Sequence, residues 1–416
     1  MSLHSGSDPD AQAALSHAGP HPDAFAALSH AGPHPDAFAA LSHSGPHPDA
    51  FAALSHSGPH PDAFAALLCD WCLEVGPGQR VLIESTTLAQ CLSLALHRAV
   101  LQRDAWPFVR LTPPSLAGEI YRYGGERHRS ESPPVELALL EGIDSLVRID
   151  APANANALAD VDPSLIARVA RARKPLAELS LSRRWCGTLL PTPALAQLAG
   201  MAEGQYAAFV TRALFLDRPD PIQAWRELSA AQAQLIDRLA SARRIRIEAE
   251  GTDISLGVEG RTWVNSDGRR NMPSGEVFTG PLENSANGTI RFTVPTGPRG
   301  VRVSGVELTF RDGVVVAARA EHGEAYLRAA LDTDAGARTL GELGIGTNAG
   351  IDRPTGYIML DEKIAGTVHL ALGRSYPETG GRNASALHWD LICDLRQGGR
   401  LSADGDVVSA DGVSAG

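Results

Sequence analysis

Lysine is nearly missing from this chain: of its 37 basic residues only Lys174 and Lys363 are lysines. Arginine-for-lysine replacement is not a general signature of heat stability, so the bias reads as a codon preference. Net positive charge is missing too. At −11 overall, the chain has no excess of cations for sequence-independent phosphate binding, and nucleic acid is excluded as an expected partner. Cysteines are few, odd in number and scattered, at 69, 72, 91, 186 and 393, which does not fit a secreted disulfide framework. Cys69 and Cys72 do form a C-x-x-C. No second pair follows at finger spacing, so buried helix residues are the reading preferred to a redox or zinc motif. No run of about 18 apolar residues occurs, nor a basic segment followed by an apolar one, so neither membrane helix nor signal peptide is expected and the cytoplasm is the default. Finally, no G-x-G-x-x-G or G-x-x-x-x-G-K follows a strand-like run, which leaves a nucleotide cofactor unsupported.

What is present is 416 residues with 44% hydrophobic content, enough for two or three folded units. Residues 16–67 hold four tandem copies of a 13-residue unit, S-H-[AS]-G-P-H-P-D-A-F-A-A-L, beginning at Ser16, Ser29, Ser42 and Ser55, with a degenerate copy before them. Each copy has one Phe and one Leu after a Gly-Pro breaker, too little for a core, and is shorter than a solenoid repeat. Only the last continues into apolar positions at helical spacing: 64, 67, 68, 71 and 72. We therefore expect a low-complexity, disordered or partly helical arm over 1–58 and the folded protein from about Pro59. Nine of the fourteen histidines lie in the repeats; loose metal binding there is conceivable, but duplication alone explains their number.

Over 59–220, strand-like runs at Arg80–Glu84, Phe108–Leu111 and Ser145–Asp150 alternate with helical segments at Leu88–Gln102 and Pro163–Arg173. This predicts an α/β domain with a parallel sheet. Ser85, Thr86 and Thr87 follow the first strand, where open α/β sheets place ligands, although a helix cap is the simpler role. Pro221–Ala242 predicts a long amphipathic helix. Beyond it the period becomes two, with turns at Asp267-Gly268 and Asp312-Gly313 and one helix near Glu324–Leu331. The 221–416 half is expected to be a mainly antiparallel α+β domain that binds metal.

Candidate ligands cluster in that half. Glu276 follows a Pro-Ser-Gly turn; Glu342 lies among glycines that permit close backbone approach; His369 sits on a predicted strand, Gly366–Leu372. His388 and Asp390, two apart, share one strand face. Glu362 and Tyr376 lie nearby. Imidazole with carboxylate suits Zn, Co or Mn, and two such ions can activate water beside a carbonyl, the chemistry of a hydrolase. Taken singly, each acid is more often a surface or salt-bridged residue and each strand histidine more often a core or surface one than a ligand. Their concentration carries the argument, because only five histidines lie outside the repeats.

The stretches N-M-P-S-G-E-V-F, G-E-L-G-I-G-T-N, D-E-K-I-A-G-T-V-H-L-A-L-G-R-S-Y and A-L-H-W-D closely resemble the thermophilic-type metalloaminopeptidases, the aminopeptidase T and aminopeptidase S family. The likeness is weak from about Pro61 and strong from Glu248 to Arg396. It implies a two-domain homodimer with an enclosed site, two Zn or Co ions, and removal of N-terminal residues from peptides. By motif, Glu276, Glu342, His369, His388 and Asp390 would hold metal, Glu342 bridging. Tyr376 would donate a hydrogen bond to the tetrahedral intermediate, and Glu362 would be a further ligand, a supporting carboxylate or the general base. Another metal-dependent amidase or dipeptidase, a peptide-binding protein without activity, and metal storage on the histidine-rich arm are the alternatives.

Overall fold

The last copy of the repeat ends as a helix, the first among the described residues, α1 (Pro61–Leu67), which runs on through a π-helical turn at Leu68–Cys72. The structure is a computed structural model that describes residues 58–297 and 301–415; the arm expected over 1–58 lies almost entirely outside them. Phe64, Leu67, Leu68, Trp71 and Cys72, the positions expected at helical spacing, are all buried. The thiols of Cys69 and Cys72 are free, and burial pushes that of Cys69 up to about 12, so both behave as apolar core groups rather than reactive ones.

Four parallel strands follow: β1 (Arg80–Thr86), β2 (Trp106–Thr112), β3 (Ser145–Asp150) and β4 (Arg184–Leu189). Helices α2 (Gln90–Leu101) and α3 (Pro163–Ala172) lie in the connections. Strand β4 was not anticipated; Arg-Trp-Cys-Gly-Thr-Leu has neither strict alternation nor a long apolar run. Thr86 does cap the turn after β1, its side chain accepting from the Leu88 amide at 3.3 Å.

After the long helix α4 (Pro221–Leu239) the chain is mostly antiparallel. The strands in order are β5 (Arg244–Ala249), β6 (Thr252–Gly257), β7 (Val264–Ser266), β8 (Asn271–Met272), β9 (Glu276–Thr279), β10 (Asn287–Phe292), β11 (Val306–Arg311) and β12 (Val314–Arg319). Helix α5 (Glu324–Leu331), β13 (Leu340–Gly346), helix α6 (Ile358–Asp361), β14 (Thr367–Gly373), β15 (His388–Asp394), β16 (Arg400–Ala403), β17 (Asp406–Ala410) and β18 (Val413–Ser414) complete it. An eight-stranded sheet runs β12-β11-β10-β6-β5-β16-β17-β18 and a five-stranded sheet β15-β14-β13-β9-β7. At the β11–β12 turn Asp312 (φ 49°) and Gly313 (φ 84°) are both left-handed, as a two-residue hairpin requires.

The short strand β8 pairs in parallel with β4 and so extends the first sheet to β2-β1-β3-β4-β8. Met272, Ile351, Met359, Leu360 and Ile364 likewise belong to the core built by α1, α2 and the parallel strands. The second core lies between the two antiparallel sheets, with Ile245, Ile247, Leu256 and Leu308 meeting Val277, Leu343, Leu370 and Leu391. Among the described residues no helix is long and apolar enough to cross a membrane.

Candidate metal centre

The five-stranded sheet is two-faced, and its period of two builds the site. Val277, Leu343, Val368, Leu370, Trp389 and Leu391 point into the second core. The residues alternating with them are Glu276, Glu342, His369, His388 and Asp390, which therefore share the opposite face. In the paired rows Glu342 and Asp390 flank Ala371, and His369 sits beside Gly344. These small residues make the room: a Cβ on Gly344 would lie 2.0 Å from His369 Cε1, so only glycine lets the imidazole lie over β13.

The donor atoms converge. His369 Nε2 is 3.4 Å from Glu276 Oε2 and 3.5 Å from Glu342 Oε1. His388 Nε2 is 3.5 Å from Glu342 Oε2 and 3.6 Å from Asp390 Oδ2. Two triples result, Glu276–Glu342–His369 and Glu342–His388–Asp390, each with its ligand atoms within 4.8 Å of one another and with Glu342 common to both. His388 Nδ1 donates to the Arg374 carbonyl oxygen at 2.9 Å, which fixes the tautomer and leaves Nε2 as a lone-pair donor. Tyr376 stands over this ring, with centroids 5.1 Å apart and its hydroxyl 3.5 Å from His388 Nε2.

The other side of the site comes from the segment around α6, anchored in the first core by Met359, Leu360 and Ile364. It brings in Glu362 and a residue that sequence reasoning missed, Lys363. The Lys363 ammonium pairs with Glu362 and lies 3.2 Å from Glu276 Oε1. Its rarity was the available signal, since one of two lysines falls inside a candidate ligand stretch. Gln232 on α4 was also missed: its amide donates to the Glu276 carbonyl oxygen at 3.0 Å and to Thr347 Oγ1 at 2.9 Å, tying the long helix to β9.

Electrostatically the cluster is lopsided. Glu276, Glu342, Glu362 and Asp390 are all buried, against one buried ammonium and two imidazoles. Burial raises the Glu342 carboxyl, and the charge of Asp390 adds to it, against the pull of His369. Glu362 is pushed up to about 8 by burial, with Lys363 pulling it back and Glu276 and Asp390 repelling it. Burial pulls His369 down, but its hydrogen bond to Glu342 and the charge of Glu276 outweigh this and carry it to about 10. Glu276 Oε2 is buried without a hydrogen-bond partner among the described residues. Uncompensated buried carboxylates cost several kcal/mol each, and divalent cations held at the two triples would offset that cost. The residues present therefore fit the group.

A sheet face that gathers imidazoles and carboxylates in this way defines a protein that holds divalent cations. Residues 60–408 match the family model described as thermophilic metalloprotease (M29), and the chain belongs to that family. It is similar to aminopeptidase 2 of Geobacillus stearothermophilus, 30% identical over 348 residues that span 75% of this chain and 83% of that one. It is also similar to aminopeptidase T of Thermus thermophilus, 32% identical over 250 residues covering 53% and 60%. Among solved structures it resembles wild-type AmpT from Thermus thermophilus, with a TM-score of 0.74 at 23% identity over 86% of this chain and 99% of that one. A dihydroxypyridine dioxygenase from Pseudomonas putida KT2440 shares the layout more distantly, at TM-score 0.52 and 17% identity over 85% and 96%. The fold alone thus does not select the reaction.

Proposed function

We propose that the chain is a metal-dependent aminopeptidase that removes N-terminal residues from peptides at a centre of two divalent cations. The observation that carries this reading is the sharing of Glu342 by two ligand triples on one buried sheet face, in a chain of the M29 family. Glu276, Glu342, His369, His388 and Asp390 would hold the ions, with Glu342 reaching both. The imidazole and carboxylate set favours zinc or cobalt over magnesium or calcium. The family resemblance further supports a homodimer.

When bound, the ions supply water activation and polarisation of the scissile carbonyl. The chain's own groups do the remainder. The Tyr376 hydroxyl, held beside His388, donates a hydrogen bond to the carbonyl oxygen as negative charge develops there. Glu362, braced by Lys363, takes the proton from the attacking water and delivers it to the leaving amine. Burial of the whole cluster keeps bulk water from weakening these interactions.

Hydrolysis of unblocked and N-acetylated peptides, each with and without a chelator, tests the reading. Cleavage of the unblocked peptide alone, abolished by chelation, is expected. Equal cleavage of the blocked peptide would point to a general amidase, and cleavage that survives chelation would remove the metal centre from the mechanism.

A further inference from the structure

The sheet face that carries the candidate ligands also carries a large apolar ring. Phe278 on β9 lies two residues beyond Glu276, so the period of two puts both on that face, about 7 Å apart along the strand. Phe278 is paired with Gly344 on β13, and Gly344 in turn with His369 on β14. The His369 ring lies over Gly344, which has no side chain of its own, so phenyl and imidazole are successive side chains in that row. On its other side Phe278 is paired with Val264 on the edge strand β7. From the metal centre to the sheet edge the row therefore reads His369, Phe278, Val264, with nothing charged beyond the imidazole.

Phe278 also meets Tyr376. The two rings stand edge to face, with centroids 5.6 Å apart and planes at 61°, and Tyr376 contacts His388 in the same manner. Phe278 thus has Glu276 along its strand, His369 across Gly344 and Tyr376 against its ring. The candidate ligands are buried, whereas Phe278 and Val264 are each half-buried, so part of the apolar row is left open. Small-molecule sites combine an apolar wall of this kind with a few placed polar groups.

We propose that Phe278, with Val264 beside it, receives the side chain of the substrate's N-terminal residue, and that the enzyme prefers peptides beginning with a large apolar residue such as leucine. This rests on the aminopeptidase reading above. A carbonyl oxygen that accepts from the Tyr376 hydroxyl fixes its carbonyl carbon, and the atom bonded to that carbon bears the side chain in question. With Tyr376 against Phe278, that side chain has the phenyl ring within reach and gains by covering it. A lysine or aspartate side chain in the same place would lose hydration without finding a partner for its charge. Glu276, two residues away, is already engaged by Lys363.

Leucine and alanine hydroxamates, titrated calorimetrically into the zinc-loaded full chain, report the wall without turnover. The leucine compound should bind about tenfold tighter, the low end of what an apolar pocket draws from added carbon. Phe278→Ala should erase most of that difference and Phe278→Leu should keep it, with equal zinc content in all three proteins. On leucine and alanine p-nitroanilides the same preference should appear in kcat/KM and be lost in Phe278→Ala through KM, as loss of uniform binding is. Equal binding of the two hydroxamates by the parent, a leucine preference that survives Phe278→Ala, or loss of zinc from that variant would each overturn the proposal. Hydroxamate discrimination without hydrolysis of either anilide would overturn the aminopeptidase reading and leave the wall standing as a ligand site.

Discussion

Lys363 Nζ lies 3.2 Å from Glu276 Oε1, and the same ammonium pairs with Glu362. Burial pulls its pKa down, but the two carboxylates outweigh this and hold it above the usual lysine range, so it stays charged inside the protein. Thirty-five other cations in the chain are arginines. A compact ammonium fits between two carboxylates that approach from different elements, where a planar fork would force them apart.

Replacing Lys363 with Met removes the ammonium that Glu276 and Glu362 share, leaving His369 as the cationic group beside Glu276. Stability should fall by about 3–5 kcal/mol, the usual cost of breaking a buried pair from one side, read by urea denaturation. Lys363→Arg should fail to restore either stability or activity. A wild-type Arg variant would show that charge alone, and not its size, matters at this position.

Gly344→Ala places a methyl group against the His369 ring. The imidazole must tilt away, and metal affinity should drop about 10–100-fold, the range seen when the orientation of a ligand is lost. Metal titration monitored by activity and by bound metal content checks this; an unchanged affinity would mean that the β13–β14 spacing yields instead.

Glu342→Gln and Asp390→Asn should differ in kind. Glu342 belongs to both ligand triples and Asp390 to one, so the first change should lower occupancy of both ions and the second mainly of one. Elemental analysis of the purified variants gives the stoichiometry directly. Equal, partial losses in the two variants would count against a shared carboxylate.

Acid should release the Glu84 pairs. Burial raises this carboxyl, but Arg148 and Arg110 outweigh it and leave its pKa lowered. A lowered folded-state value means that the contribution is complete above the unfolded value, about 4.3, and is lost as pH falls through the folded one. Thermal unfolding between neutrality and about pH 3 should therefore steepen at the acid end. Glu84→Gln should be less stable at neutral pH and flatter below it. Parallel curves for the two proteins would remove Glu84 from the acid response.

Deleting residues 1–57 should leave hydrolysis and metal content intact, because the family match begins at residue 60. Loss of metal on deletion would assign a metal role to the repeat histidines.

Much of this was legible in the sequence, for identifiable reasons. Alternation of acidic or imidazole and apolar residues in Gly-Glu-Leu-Gly-Ile and His-Trp-Asp-Leu-Ile forces one face to be polar and the other to be core, and pairing gathers the polar residues at one candidate site. The Ser145–Asp150 strand and the Glu324–Leu331 helix have the predicted bounds. Lys363 and Gln232 escaped because each meets Glu276 across a long stretch of sequence: Lys363 reaches it only once β9 and the α6 segment are assembled, and Gln232 spans 44 residues to the same strand. Helix α6, four residues long, is too short to show a period. Strand β8 is only two residues long, and its pairing with β4 is set by tertiary packing.

That two-residue strand bears on how the molecule comes apart. Through β8 and the apolar side chains flanking Glu362, the half that carries the candidate ligands also completes the sheet and core of the other half. A cut at the expected boundary near residue 220 would strip Met272, Met359, Leu360 and Ile364 from their packing and expose a hydrophobic seam on both fragments. Neither piece would be a self-sufficient folding unit, and heat or denaturant should dissolve both layers in a single cooperative transition.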